Sequence, residues 1–140
     1  MKELDAIASR LHGGTCLAEL LDAGFDAFEV IRLVARACED LAPELFAAFM
    51  TAAGAAVEGR NALSDAPSLP PATGPLPAVT VSATAGAGQI ADELAALAAL
   101  LTQRLAKAGA KAVGEGDRAA CQHATYAAAD IHRLLAPGPR

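Results

Sequence analysis

One stretch, DLAPELFAAFMTAAGAAVEGRNALSD at residues 40–65, limits what this chain can become more than any other. Leu45, Phe49, Ala52, Ala56 and Leu63 recur at helical spacing on one side, and Phe46, Met50, Ala53 and Val57 recur on the adjoining side. A helix that is apolar over two neighbouring stripes must touch more than one partner, because a stripe left in water forfeits its burial. Phe46, Phe49 and Met50 fill space at the N-terminal end. Ala52, Ala55, Ala56 and Gly59 carry almost no side chain and admit a close neighbour at the other. The stretch is therefore read as a central helix over 41–65, with Pro43 accommodated in a first turn whose N–H groups lack intrahelical partners, or with a kink near residues 39–43 as the alternative.

The rest of the composition suits such a helix. Alanine supplies roughly a quarter of the chain and aromatic residues only 4%, a mixture that favours helices packed through small side chains. At 140 residues the chain fits one domain able to bury a core without disulfides or zinc. The expected class is all-α: a compact bundle of four to five helices, with small N-terminal helices over 3–38, the central helix, a Pro/Gly-rich connector over 66–88 and a helical hairpin over 89–135.

Charge and patterning disfavour several functions. A net charge of -5 and a pI near 5.1 oppose a surface built to neutralise phosphates, so nucleic acid is not an expected partner. The N-terminus, MKELDAIASRL, has acids where a secretory leader carries basic and then apolar residues. The longest uncharged apolar run, Leu45 to Val57, is too short to cross a bilayer. Cys16, Cys38 and Cys121 are odd in number and widely spaced, which suits small buried thiols in a reducing compartment. A cytoplasmic location with no membrane partner is expected.

Along the chain, Leu4, Ile7, Ala8 and Leu11 predict a first helix from about Glu3 to Leu11, stopped by Gly13 and Gly14. Thr15 offers an N-cap to a short helix through Leu17, Leu20 and Leu21 that ends near Gly24. Asp26 and Glu29 then have the spacing of a capping box, and Phe25 and Val30 that of a hydrophobic staple, predicting a new helix from Ala27. Its inward face is expected to be Val30, Leu33, Val34 and Ala37, with Arg32 and Arg36 outside. In its spacing of Leu20, Gly24, Val30 and Leu33, CLAELLDAGFDAFEVIRLV resembles a helix-turn-helix. LLDAGFDAFEVIRLV is similar to the Gly-Phe turn of small ubiquitin-associated bundles. The first resemblance implies DNA reading by residues that include Asp26, Ala27, Phe28 and Glu29, where two carboxylates would repel phosphates. The second implies a peptide-docking corner.

Beyond Asp65 the sequence changes to APSLPPATGPLPAVTVSATAGAG, a connector longer than compact domains normally use. Its Pro-rich first half predicts polyproline II geometry and its Gly/Ala-rich second half a loose chain. Val79, Thr80 and Val81 are strand-like but have nothing to pair with. At ~3 Å per residue the connector can span a twenty-residue helix, so the helices it joins are free to run parallel or antiparallel. From Gln89 to Val113, Ile90, Leu94, Leu97, Leu101, Leu105, Ala108 and Ala112 form a heptad-like seam. Asp92 and Glu93 fall in the first turn, and Lys107 and Lys111 in the last. After Gly114-Glu115-Gly116, Asp117 offers a cap to a final helix from Arg118 to about Leu135, antiparallel to the one before it.

Candidate chemistry is sparse. His123, Tyr126 and Asp130 share a helical stripe that Arg133 continues, which gives an acid/base relay if they face a cleft and a solvated face if they do not. Cys121 and His132 lie three turns apart, ~16 Å, too far to share a metal ion. His12 and Cys16 would need a histidine of the last helix to complete a metal site, and no metal or cofactor is expected. The polar tip of the central helix places Glu58, Asn61 and Asp65 on one face and Arg60 and Ser64 on another, so Arg60 and Asn61 are candidates to grip a polar group. No phosphate loop, nucleophile elbow, HExxH or CxxC pair occurs.

The function expected on these grounds is a non-enzymatic binding or regulatory module acting through helix–helix contacts with itself or another helical protein. The surface for it is the seam of 90–112 and the small-residue face of the central helix. The alternatives are a carrier or sensor for a small apolar ligand in a pocket lined by Phe46, Phe49 and Met50, and a small enzyme using His123, Tyr126 and Asp130.

Overall fold

The computed structural model describes residues 1–72, 79–81 and 86–137. Among them are five α-helices and no strand: α1 (Lys2–Gly13), α2 (Leu17–Cys38), α3 (Phe46–Ser64), α4 (Ala87–Lys111) and α5 (Glu115–Leu135). The all-α bundle with a C-terminal hairpin is thus present. The central helix expected over 41–65 begins only at Phe46: a single 3-10 turn, Pro43–Leu45, carries the chain into it and uses Pro43 at a first-turn position that needs no N–H.

α2, α3, α5 and α4 each pack on the next and close a four-membered ring, with α1 laid against α2 and α4. The directions follow from contacts at the ends. The Met1 ammonium donates to Glu93 at the start of α4 (2.6 Å), and Arg104 further along α4 donates to the Leu11 carbonyl, so α1 and α4 run parallel. Ser68, just past α3, meets Asp117 at the start of α5, so those two are antiparallel. α3 and α4 are therefore parallel and diagonal, and the connector is the long crossover between them. Its expected extended first half begins instead as a turn, with the Leu69 N–H donating to the Ala66 carbonyl (3.1 Å). Leu69, Val79 and Val81 pack against the core, while 73–78 and 82–85, where the remaining polyproline and loose-chain expectations fall, lie outside the described residues.

The break expected near Gly24 does not exist. α2 continues through it because Gly24 is buried where three helices meet: an added Cβ would stand 3.2 Å from Leu63 Cδ1 and 3.5 Å from Leu105 Cδ2. The two carboxylates of the expected capping box are instead committed to other helices. Asp26 accepts from Arg10 of α1 (2.7 Å), and Glu29 accepts from Arg60 of α3 (2.6 Å). With no turn at Gly24, the helix-turn-helix and ubiquitin-associated resemblances lose the feature that carried them. The buried face also shifts, to Ala27, Phe28, Val30, Ile31, Val34, Ala35 and Cys38, leaving Ala37 exposed and Leu33 half-buried. Cys16, not Thr15, occupies the N-cap of α2, and Gly114, not Asp117, that of α5.

The seam of α4 is buried throughout, from Ile90 to Ala112. The helix starts at Ala87, so Asp92 and Glu93 fall in its second turn. The small residues of α3 are also used inside the bundle: Ala52, Ala55 and Ala56 are buried, and the fully buried Phe28 ring sits directly on Gly59. Gly109 does the same for the hairpin, where an added Cβ would lie 2.9 Å from Cys121 Cβ. Helices can approach this closely only where side chains are nearly absent, which is the structural use of the alanine-rich composition.

Candidate functional site

The stripe His123, Tyr126 and Asp130 lies in solvent. Tyr126 is 62% exposed with only a long contact from Gln122 (3.4 Å), and Asp130 accepts from Arg133 (2.8 Å). Tyr126 borders a shallow α4/α5 groove of about 370 Å³ whose lining includes neither His123 nor Asp130, so the three do not converge. The central-helix tip is not free to grip a ligand either. Arg60 is held by Glu29 across the α2/α3 interface and also donates to Asn61 Oδ1 (3.3 and 3.4 Å). Burial opposes ionisation of Glu29, but hydrogen bonds from Arg32 and Arg60 and their charges outweigh it and hold the carboxyl below its usual 4.5. Among the described residues no three metal-ligating side chains gather. Burial raises the thiols of Cys38 and Cys121, the latter further beside Asp117, while Cys16 is exposed.

Phe46, Phe49 and Met50 separate. Phe49 is fully buried, whereas Phe46 (40% exposed) and Met50 (48%) stand outside, so the three do not line one pocket. Helical spacing cannot say which stripe of α3 faces inward, because the helix is apolar around its whole circumference over its first three turns. Phe46, Ala47, Met50, Thr51 and Gly54 are all exposed, and no charged residue occurs from Phe46 to Val57. This outer face of α3 is uncovered by the described residues. An added Cβ at Gly54 would meet nothing within 4 Å, so no contact inside the bundle calls for glycine there.

A second feature was not legible in the sequence, because four separate segments build it. Gly14 caps the end of α1, its N–H donating to the Arg10 carbonyl, and an added Cβ there would press on Leu20 Cδ2 at 2.8 Å. Arg104 of α4 secures this end by donating to the carbonyls of Leu11 (2.9 Å), Gly14 (3.2 Å) and His12 (3.4 Å), a cation placed on the negative end of α1. On the far wall, Asp117, 7% exposed, accepts from the Ser68 N–H (3.0 Å) and Oγ (2.6 Å). Between these walls lies a cleft of about 490 Å³, with Leu17, Leu20, Ala108 and Ala112 as apolar lining and Lys107 and Lys111 at its side.

Comparison with known proteins finds no family model, no curated protein and no solved structure that matches this chain.

Proposed function

We propose that the chain is a non-enzymatic helical binding module that pairs with a second copy of itself through the outer face of α3. The observation that carries this reading is the combination of Phe46, Met50 and Gly54 on an exposed, uncharged helix face. A solvated helix gains nothing from an exposed phenylalanine and methionine, and a glycine in its interior costs ~1 kcal/mol relative to alanine. A facing helix accounts for all three.

The spacing favours a like copy. With a two-fold axis beside Met50, residues at equal steps on either side of it face each other in an antiparallel pair, so Phe46 comes over the partner subunit's Gly54 and the reverse. A ring then fills the place a side chain would take. The seam of α4 and the alanine face of α3, expected to supply this surface, are consumed within the bundle, which leaves the outer face of α3 for the role. The odd number and wide spacing of Cys16, Cys38 and Cys121 favour a reducing, cytoplasmic setting for the module.

One helix face buries less than about 1,200 Å² in total, the class of weak interfaces, so a dimer with a dissociation constant on the order of 100 µM is expected. Sedimentation equilibrium over ~10–500 µM, a range matched to such an interface, tests it. The native chain should pass from monomer to dimer, and Met50→Lys, a substitution at an exposed position, should remain monomeric with unchanged helicity. A native chain that stays monomeric, or a Met50→Lys variant that dimerises equally well, would defeat the proposal.

A further inference from the structure

We propose that the cleft at the end of the bundle, between the close of α1 and α4 and the start of α2 and α5, binds a small amphipathic anion: an apolar body with one carboxylate or phosphate head group. Its volume, about 490 Å³, is that of a small-molecule site. The lining is divided in character. Leu17, Leu20, Ala108 and Ala112 offer an apolar bed, while Arg104, Lys107 and Lys111 supply three cations against the single carboxylate of Asp117. Both oxygens of that carboxylate are already engaged by Ser68. In a chain of net charge -5, this is a local reversal of sign, and its complement is an anion.

Of the two lysines only Lys111 has another use in the fold, at the carbonyl end of α4. They stand one turn apart on the same side of α4, where like charges repel, and neither has an ion-pair partner among the described residues. The carbonyl end of α4 rewards a cation in its last turn, which Lys111 alone satisfies. Arg104 is bound to the carbonyls closing α1, so it contributes field while the two flexible lysines make the contact. An anionic head between Lys107 and Lys111 relieves their repulsion, and its apolar body covers the half-buried Leu17 and Leu20, which water otherwise wets. α3 contributes nothing to the lining, so this site stands or falls independently of self-association.

The test uses four ten-carbon or inorganic probes below micelle-forming concentrations: decanoate, decyl phosphate, decanol and inorganic phosphate. Calorimetry measures affinity, and the iodoacetamide alkylation rate of Cys16, which lines the cleft, reports occupancy. Decanoate and decyl phosphate should bind at least tenfold more tightly than decanol or phosphate and slow alkylation at least tenfold. The tighter of the two identifies the head group. Lys107→Gln with Lys111→Gln, both exposed positions, should lower the affinity for these anions at least tenfold while leaving that for decanol unchanged. The proposal is overturned if decanol or inorganic phosphate matches the amphipathic anions, if the double variant binds them undiminished, or if no probe protects Cys16.

Discussion

Two glycines five residues apart in α3 should respond to alanine with opposite signs. Alanine in a helix interior is favoured over glycine by about 0.5–1 kcal/mol, through reduced chain entropy and better helix propensity. At Gly54 the new methyl meets open space, so Gly54→Ala should stabilise the monomer by about that amount. At Gly59 the methyl would collide with the ring of Phe28, which is fully buried and cannot withdraw into solvent. Overpacking of this kind costs roughly 1–3 kcal/mol, so after the propensity gain Gly59→Ala should destabilise by up to about 2.5 kcal/mol. For a chain of this length each kcal/mol moves the melting temperature by about 4 °C. Urea denaturation at low micromolar concentration, where self-association is negligible, resolves both effects. A Phe28→Leu background supplies the internal control: with the ring gone, Gly59→Ala should cost less than it does in the native chain, a coupling that a double-mutant cycle measures. Equal stabilisation by the two alanine substitutions, or a penalty at Gly59 that persists without the ring, would refute the packing account of α3.

Other expectations follow from single contacts. Glu29→Gln should destabilise the chain by about 1–3 kcal/mol in chemical denaturation, since it weakens charge-assisted bonds to Arg32 within α2 and to Arg60 across the α2/α3 interface. Because the folded state holds Glu29 below 4.5, its contribution is fully present above that pH and is lost as the pH falls through the depressed value, so the native-minus-variant difference should shrink on acidification. Ser68→Ala should cost roughly 1–2 kcal/mol, since it removes the hydroxyl that the buried Asp117 accepts from, and increased amide exchange over 66–72 would report the released connector. Mass spectrometry after brief iodoacetamide treatment should find Cys16 modified and Cys38 and Cys121 intact; rapid modification of either buried thiol would show that the hairpin or α2 opens far more readily than its packing implies. Gly54→Ala should weaken dimerisation while stabilising the monomer, two effects that sedimentation and denaturation separate.

The parts of the fold legible in the sequence are those where pattern and environment coincide. In α4 the large apolar residues recur every three or four positions with polar ones between, and each member of that seam is buried. α5 shows nearly the same in alanine: of the seam expected at Ala120, Ala124, Ala127, Ile131 and Leu134, the first four are buried, while Leu134 is half-buried and Leu135 takes the inward place. The errors lie where a residue type serves two physical purposes. Gly24 reads as a helix stop because glycine ends helices, but it also permits close packing, and only the positions of Leu63 and Leu105, far away in sequence, decide between them. Asp26 and Glu29 have the spacing of a cap, yet arginines on α1 and α3 claim both. Asp117 looked like a cap and instead anchors the connector through Ser68. Phe46, Phe49 and Met50 are three apolar neighbours on a helix apolar all round, and local spacing holds no information about which of them faces water. The cleft draws on residues near 14–20, 68, 104–113 and 117, so no window of sequence contains it.

The most direct test of self-association through α3 is disulfide trapping at the proposed axis. In a Cys16→Ser background, Met50→Cys should place two thiols on the two-fold axis within bonding reach, and mild oxidation should yield a covalent dimer far faster than Ala129→Cys, an exposed position on α5. Rapid dimer formation at residue 50, suppressed by adding Phe46→Glu, is the predicted result. Equal, slow cross-linking at residues 50 and 129 would mean that the outer face of α3 does not meet its own copy.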